Sequence, residues 1–273
     1  MIQSKNPVFQ KAEVFQPHQQ YGPDGNGAQG YFQPAGYQQP AGYQPTVPAT
    51  QVMTIDDVLA KSAVTMGVLI GVAAITMNFL PLGLLWPVTA VTGLVAFGTV
   101  LLVSIRKAVN PAFVLIYAAV EGVFIGAISQ AFELLYPGIV LPAVFGTFVT
   151  AGVTLAGYHF LRIRVTGRLR KMVVIGTISL AGVYLINFIL SIFGVHTGII
   201  EVGPGAGMLS ILFSALGVGL AVFNLLLDFD SVESGVRNQA PANESWRAAF
   251  GLVVTMVWLY TELLRILSYF QRN

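Results

Sequence analysis

The sequence predicts an all-α polytopic membrane protein of seven transmembrane helices behind a low-complexity tail, and three observations predict it. Of 273 residues, 55% are hydrophobic and 10% charged, with a mean hydropathy of +0.72, a composition foreign to soluble globular domains. The apolar residues gather in blocks of about twenty, the length at which a helix crosses the hydrocarbon of a bilayer. Proline and glycine fall between the blocks, where they end one helix and begin the next.

The same composition excludes several function classes. The net charge is +2 and the pI about 8.9, but the basic residues form short clusters between apolar blocks. They read as topology signals, so the lipid bilayer is the expected partner and nucleic acid is not. With no cysteine there is no disulfide framework, thiolate nucleophile or thiolate metal site. The first thirty residues lack the apolar core of a signal peptide, which leaves insertion to the first span.

Residues 1–50 are rich in Gln, Gly, Pro and Tyr, with Gln33-Pro-Ala-Gly-Tyr37 repeated at Gln39 to Tyr43. Such a segment cannot bury enough apolar surface to offset its ordering entropy, and a disordered cytoplasmic tail is expected ahead of a membrane domain at 51–273. Its evenly spaced Tyr21, Tyr31, Tyr37 and Tyr43 suit either a solvated tail or weak partner binding. Thr54 is placed to cap a helix that opens with Asp56 and Asp57, acids suited to the positive end of a helix dipole.

The spans are expected at Ala63–Leu80, Leu84–Ser104, Ala112–Phe132, Ile139–Leu161, Met172–Phe193, Gly207–Leu227 and Ala248–Tyr269. Pro81 and Gly83 divide the first two, Asn110-Pro111 opens the third, Pro137-Gly138 the fourth, and Gly203-Pro-Gly205 precedes the sixth. Basic residues cluster at Lys61, at Arg106 and Lys107, from Arg162 to Lys171, and at Arg237 and Arg247, all on one side. The loops around Pro81, Pro137 and His196 carry none. The positive-inside rule then puts the amino terminus in the cytoplasm, Asn273 outside, and the protein in the cell membrane.

Functional residues are sought among ionisable groups at membrane depth, each costing roughly 2.5 to 3.5 kcal/mol at a helix centre. Glu121 lies mid-span in Glu121-Gly-Val-Phe-Ile-Gly126; it is either a carboxyl kept neutral or hydrogen-bonded in the bundle or a functional group. The Gly122-xxx-Gly126 spacing allows close helix approach, and Gly67 and Gly71 repeat it in the first span, so these two small faces are expected to pack together. Asp228 and Asp230 end the sixth span and point about 160° apart, so one can face the bundle while the other meets the cytoplasmic interface. Asn224 shares the face of Asp228. Glu262 and Arg265, three apart in the last span, allow an internal ion pair, neutralising or functional.

Other chemistries fail on the same sequence. No lysine lies inside a span to hold retinal. His18, His159 and His196 are scattered, with no zinc spacing. No Gly-x-Ser-Gly nucleophile or phosphate-cradling Gly-rich loop with a following lysine is present, and the two aspartates sit on one span rather than two. No enzyme, metal or cofactor is expected.

Glu121-Gly-Val-Phe-Ile-Gly-Ala-Ile-Ser129 resembles the third-helix signature of the Bax inhibitor-1 (transmembrane Bax inhibitor motif) family. Leu227-Asp-Phe-Asp230-Ser-Val resembles the end of that family's sixth helix, and Leu259-Tyr-Thr-Glu-Leu-Leu-Arg-Ile-Leu267 the end of its seventh. Together the resemblance covers residues 53–270. Asn6 to Phe9, opening a Gly-, Gln- and Tyr-rich leader, resembles a bacterial branch. What the resemblance implies is a seventh helix wrapped by six others and, for some members, a pH-sensitive calcium leak. In those members an aspartate of the sixth helix pairs with one of the seventh, and a cytoplasmic arginine latches the closed state. Carried over, Asp230 falls on the sixth-helix aspartate, Arg106 stands as candidate latch, and Thr255 occupies the second acidic position. Either Asp228 or Glu262 supplies the missing acid, or calcium gating is lost. Counted from Arg247, Thr255 lies roughly 12 Å deep and Glu262 roughly 22 Å.

The expected function is therefore a calcium or cation leak in which Asp230, Asp228, Glu121 and Glu262 set ion and proton sensitivity. Its rivals are a non-conducting regulator acting on membrane-protein partners and a proton-coupled transporter of a small solute.

Overall fold

The computed structural model describes residues 52–105, 109–161, 163, 165–195 and 197–271. The tail at 1–50 with its leader and His18, the candidate latch Arg106 with Lys107, and Arg162, Arg164, His196 and Asn273 lie outside the described residues.

Among the described residues there are seven long helices: α1 (Ile55–Phe79), α2 (Leu85–Ile105, behind a 3-10 turn at Leu82–Leu84), α3 (Pro111–Leu135), α4 (Val140–Phe160), α5 (Gly167–Ile192), α6 (Met208–Arg237) and α7 (Glu244–Tyr269). All seven are long and apolar enough to cross a membrane, and the protein is a multi-pass, all-α membrane protein. The starts follow local chemistry. Thr54 Oγ1 accepts from the Asp57 backbone N–H at 3.1 Å, Asn110 Oδ1 from Ala112 at 2.9 Å ahead of Pro111, and Thr166 Oγ1 from Leu169 at 3.2 Å. Gly203, φ +86°, turns the chain into α6.

Several helices outrun their apolar blocks. α1 absorbs the capped segment before Lys61, α5 begins at Gly167, and α6 continues past Leu227 to Arg237. Hydropathy marks the stretch inside hydrocarbon, whereas backbone hydrogen bonding carries a helix on into the interface. Asp228, Asp230 and Glu233 thus all stand on α6.

Helix α7 is the centre of the bundle. It packs on α1, α3, α4 and α6, receives Tyr184 of α5, and shares with α2 a cluster containing Ala96, Val103, Tyr117 and Phe250. Of its spanning window 56% is buried, against 11% for α2 and for α5.

The closest approach is α3 on α1. A Cβ placed on Gly122 would sit 2.7 Å from the Leu69 carbonyl oxygen, and one on Gly126 would sit 2.5 Å from that of Ala73. Only glycine admits this separation. The partner face on α1 is Leu69, Val72, Ala73 and Thr76; Gly67 and Gly71 have nothing within 4 Å of a built Cβ. The expectation of two glycine faces in contact is corrected: bulkier residues of α1 fill the grooves that the α3 glycines open.

At the end carrying Lys61, Arg170, Arg237 and Arg247, hereafter the basic end, the chain before α1 is fastened to the α6–α7 loop. Val52 pairs with Pro241, Met53 N–H donates to Ala240 O at 2.7 Å, and Met53 is buried against Gly235. Lys61 Nζ donates to Ala242 O at 3.0 Å and lies 5.4 Å from the Trp246 ring centroid.

Gly126→Ala is expected to lower unfolding stability in mixed micelles by about 1–3 kcal/mol through overpacking. Gly71→Ala, on an open face, should leave it within about 0.5 kcal/mol.

Candidate functional site

The polar groups of α7 and their partners on neighbouring helices form two layers. In the layer nearer the basic end, Thr255 is buried on α7, and its hydroxyl donates to Asp228 Oδ2 of α6 at 2.7 Å. The same oxygen lies 3.1 Å from its own helix's Gly251 carbonyl. One hydroxyl proton serves one strong bond at a time. With Asp228 ionised, Thr255 donates to it in a charge-assisted bond across the α6–α7 interface. With Asp228 protonated, the carboxyl gains an O–H that can donate to Thr255 Oγ1, which frees the Thr255 proton for Gly251 as in ordinary Thr back-bonding. Charge on Asp228 therefore sets both the direction and the strength of the contact.

Gly251 belongs to this arrangement, since a Cβ built there would lie 3.7 Å from Asp228 Oδ1. A methyl group there would make ordinary van der Waals contact with the carboxyl.

The side chain facing Thr255 is thus Asp228. Asp230, which the resemblance carries onto the sixth-helix position, is turned away, because two residues rotate a helix by roughly 200°. Its Oδ2 accepts from Arg170 of α5 at 2.7 Å, with both side chains partly exposed. Asn224, one turn before Asp228, donates instead to Thr177 Oγ1 of α5 at 2.7 Å. Farther along α6, Glu233 accepts from Tyr158 of α4 at 2.5 Å.

Glu121 is buried, 5% exposed, at the middle of α3, with Tyr117 one turn before it on the same helix face. Two cross-contacts fix its height. The Tyr117 and Phe250 rings lie 4.7 Å apart, and Ser129 Oγ meets Tyr260 OH at 2.7 Å. Between these tie points, Glu121 comes level with Val253 and Val254, the height at which Asp228 meets α7 between Gly251 and Thr255. Two membrane-depth carboxyls, one from α3 and one from α6, therefore flank α7 at one level.

The second layer lies about 10 Å farther along α7. Glu262 Oε1 accepts from Tyr184 OH of α5 at 2.8 Å and from Trp258 Nε1 at 3.2 Å. Its Oε2 lies 3.5 Å from Arg265 NH1 and has no hydrogen bond. Arg265 NH1 donates to Tyr184 OH at 3.1 Å and to Ser214 Oγ of α6 at 3.3 Å. Gly217 of α6 makes room for the carboxyl, because a Cβ there would fall 2.6 Å from Glu262 Cδ. Glu262 is thus remote from Asp228 and belongs to an ion pair that binds α5 and α6 to α7.

Sequence reasoning missed Tyr184, Ser214, Gly217, Gly251 and Tyr117. Tyr184 stands among several polar side chains of its span, with Thr177, Ser179 and Asn187, so nothing local singles it out; the small residues carry no signal either, because their role exists only once a partner helix is placed. Among the described residues no three His, Asp or Glu side chains converge as a metal-binding group. Arg106, the candidate latch, lies outside the described residues.

The family model described as Bax inhibitor 1 like matches residues 6–272. No curated protein matches the chain.

Arg265→Met leaves the Glu262 carboxyl buried without a counter-charge and is expected to cost about 3–5 kcal/mol of unfolding stability in micelles. The double variant Glu262→Gln, Arg265→Met, which buries no charge, should recover most of that loss.

Proposed function

Since the chain belongs to the Bax inhibitor 1 like family, we propose that it is a pH-sensitive leak for calcium or other cations, closed at the basic end by the contact of Asp228 with Thr255. The observation that carries this reading is the Asp228 carboxyl aimed from α6 at the central helix and bonded there to a single hydroxyl. A second carboxyl, Glu121, flanks the same level of α7. Two acids at one depth give a cation a reason to enter this layer, and proton exchange on Asp228 gives the layer a way to loosen. Asp230, held by Arg170 at the interface, serves as anchor of α6 to α5 in this account.

On the positive-inside rule the basic end faces the cytoplasm and the protein resides in the cell membrane. The protein is proposed to act without enzymatic chemistry, moving or sensing protons and cations. In place of an aspartate pair this chain uses one aspartate and one threonine, so a single protonation governs the α6–α7 contact.

A second reading, a non-conducting regulator acting on membrane-protein partners, draws support from the fastening of residues 52 and 53 to the α6–α7 loop. Any pull on the amino-terminal segment would be delivered to the two helices that carry Asp228 and Thr255.

The test is calcium flux into liposomes holding the purified chain, followed from mildly acidic to mildly alkaline pH. The unmodified protein is expected to leak more on acidification, as the charge-assisted bond is lost. Asp228→Asn, which like the neutral acid carries no charge and so cannot form the charge-assisted bond, should leak at the acid level throughout, and Asp230→Asn should retain the pH response. Absence of flux at every pH in all three proteins would favour the regulator, whose activity should then vanish on deletion of residues 1–50.

A further inference from the structure

On the face of α7 turned away from α6, a cleft of about 180 Å³ opens between α1 and α4, with α3 and α7 as its floor. Its mouth is exposed: Ile70 and Ala74 of α1 and Phe148 of α4 belong to the apolar surface that meets the bilayer. Its floor is core: Ile125 of α3 and Val257 and Tyr260 of α7 are all buried. The cleft runs beside α4 from Val140 to Phe148, roughly 12 Å along the membrane normal. It therefore lies in the leaflet opposite the basic end and reaches toward the middle of the membrane.

We propose that this cleft binds the acyl chain of a bilayer lipid, which enters between α1 and α4 and packs directly on the central helix at Val257 and Tyr260. Three observations commit the site to hydrocarbon. The hydroxyls at its floor are already spent within the protein: Ser129 on Tyr260 and on the Ile125 carbonyl, and Thr147 on the Ala143 carbonyl. Among the described residues no charged side chain lines the cleft, so a headgroup or a polar solute gains nothing there. The mouth is continuous with the lipid-facing belt of the seven spans, where acyl chains are the molecules at hand. The volume suffices, since an apolar cavity of about 150 Å³ accepts benzene. The elongated shape, parallel to the helices, suits a chain lying along the bilayer normal. Met256, which also lines the cleft, adapts to a flexible occupant.

The site adjoins the candidate gate without sharing its chemistry. Val257 is two residues from Thr255, so an occupying chain presses on α7 beside the residue that Asp228 holds. The binding site stands or falls independently of whether the protein conducts.

The experiment is photolabelling of the full chain in phosphatidylcholine vesicles doped with a phospholipid whose acyl chain carries a diazirine, with labelled residues mapped by mass spectrometry. Adducts are expected on Val257 or Tyr260, buried core positions that hydrocarbon outside the bundle cannot reach, as well as on the outward faces of α1 and α4. Ala74→Trp, which covers the mouth from an exposed position, should reduce α7 labelling severalfold while labelling of outward α4 residues persists. Phe148→Ala, which widens the mouth, should raise it. Labelling confined to outward faces, or α7 labelling indifferent to both substitutions, would overturn the proposal.

Discussion

Hydrocarbon offers no hydrogen-bonding partner, so every polar group within the span must find one inside the protein. That constraint explains why the seventh helix is central. α7 has the lowest mean hydropathy of the seven spanning windows and the largest buried share. Thr255, Glu262, Arg265 and Ser268 cannot face lipid, and burying α7 gives each a partner on another helix or on its own chain. α2 and α5 are left at the periphery, with 11% of each spanning window buried.

The two polar layers on α7 do different work. The layer of Glu262 and Arg265 is dense in donors from α5, α6 and α7, and its charges neutralise one another; removal of either partner strands the other. The layer of Asp228, Thr255 and Glu121 is sparse, and its α6–α7 link is a hydroxyl that has two acceptors within reach. A charge-paired layer that ties three helices holds the bundle together, and a layer linked by a single hydroxyl can change its hydrogen bonding at small cost. Packing divides along the same line: Gly122 and Gly126 lock α3 to α1 where no charge is involved.

Much of this was legible in the sequence. Block length and the proline and glycine breaks yield the seven spans, and the Thr54 cap and the Asn110-Pro111 start follow from residue type, whereas the Thr166 cap lies ahead of the apolar block that marked the fifth span. The two-residue spacing of Asp228 and Asp230 already requires that they diverge. Which of them turns inward depends on the rotation of α6 about its axis, and nothing local to the helix encodes that. The α1 glycines misled for a related reason, since a small-xxx-small pattern marks a face of close approach only when a neighbour is present on that face. Gly217 was invisible because its role is to vacate space for a carboxylate that arrives from another residue.

The central claim is that Asp228 acts through Thr255. Its most direct test is a double-mutant cycle in which Asp228→Asn and Thr255→Val are combined and unfolding is followed in lipid micelles at a pH where Asp228 is ionised. The account predicts non-additive effects, with a coupling of about 1 kcal/mol or more across the α6–α7 interface. Additive losses would show that the two side chains act independently and would contradict it.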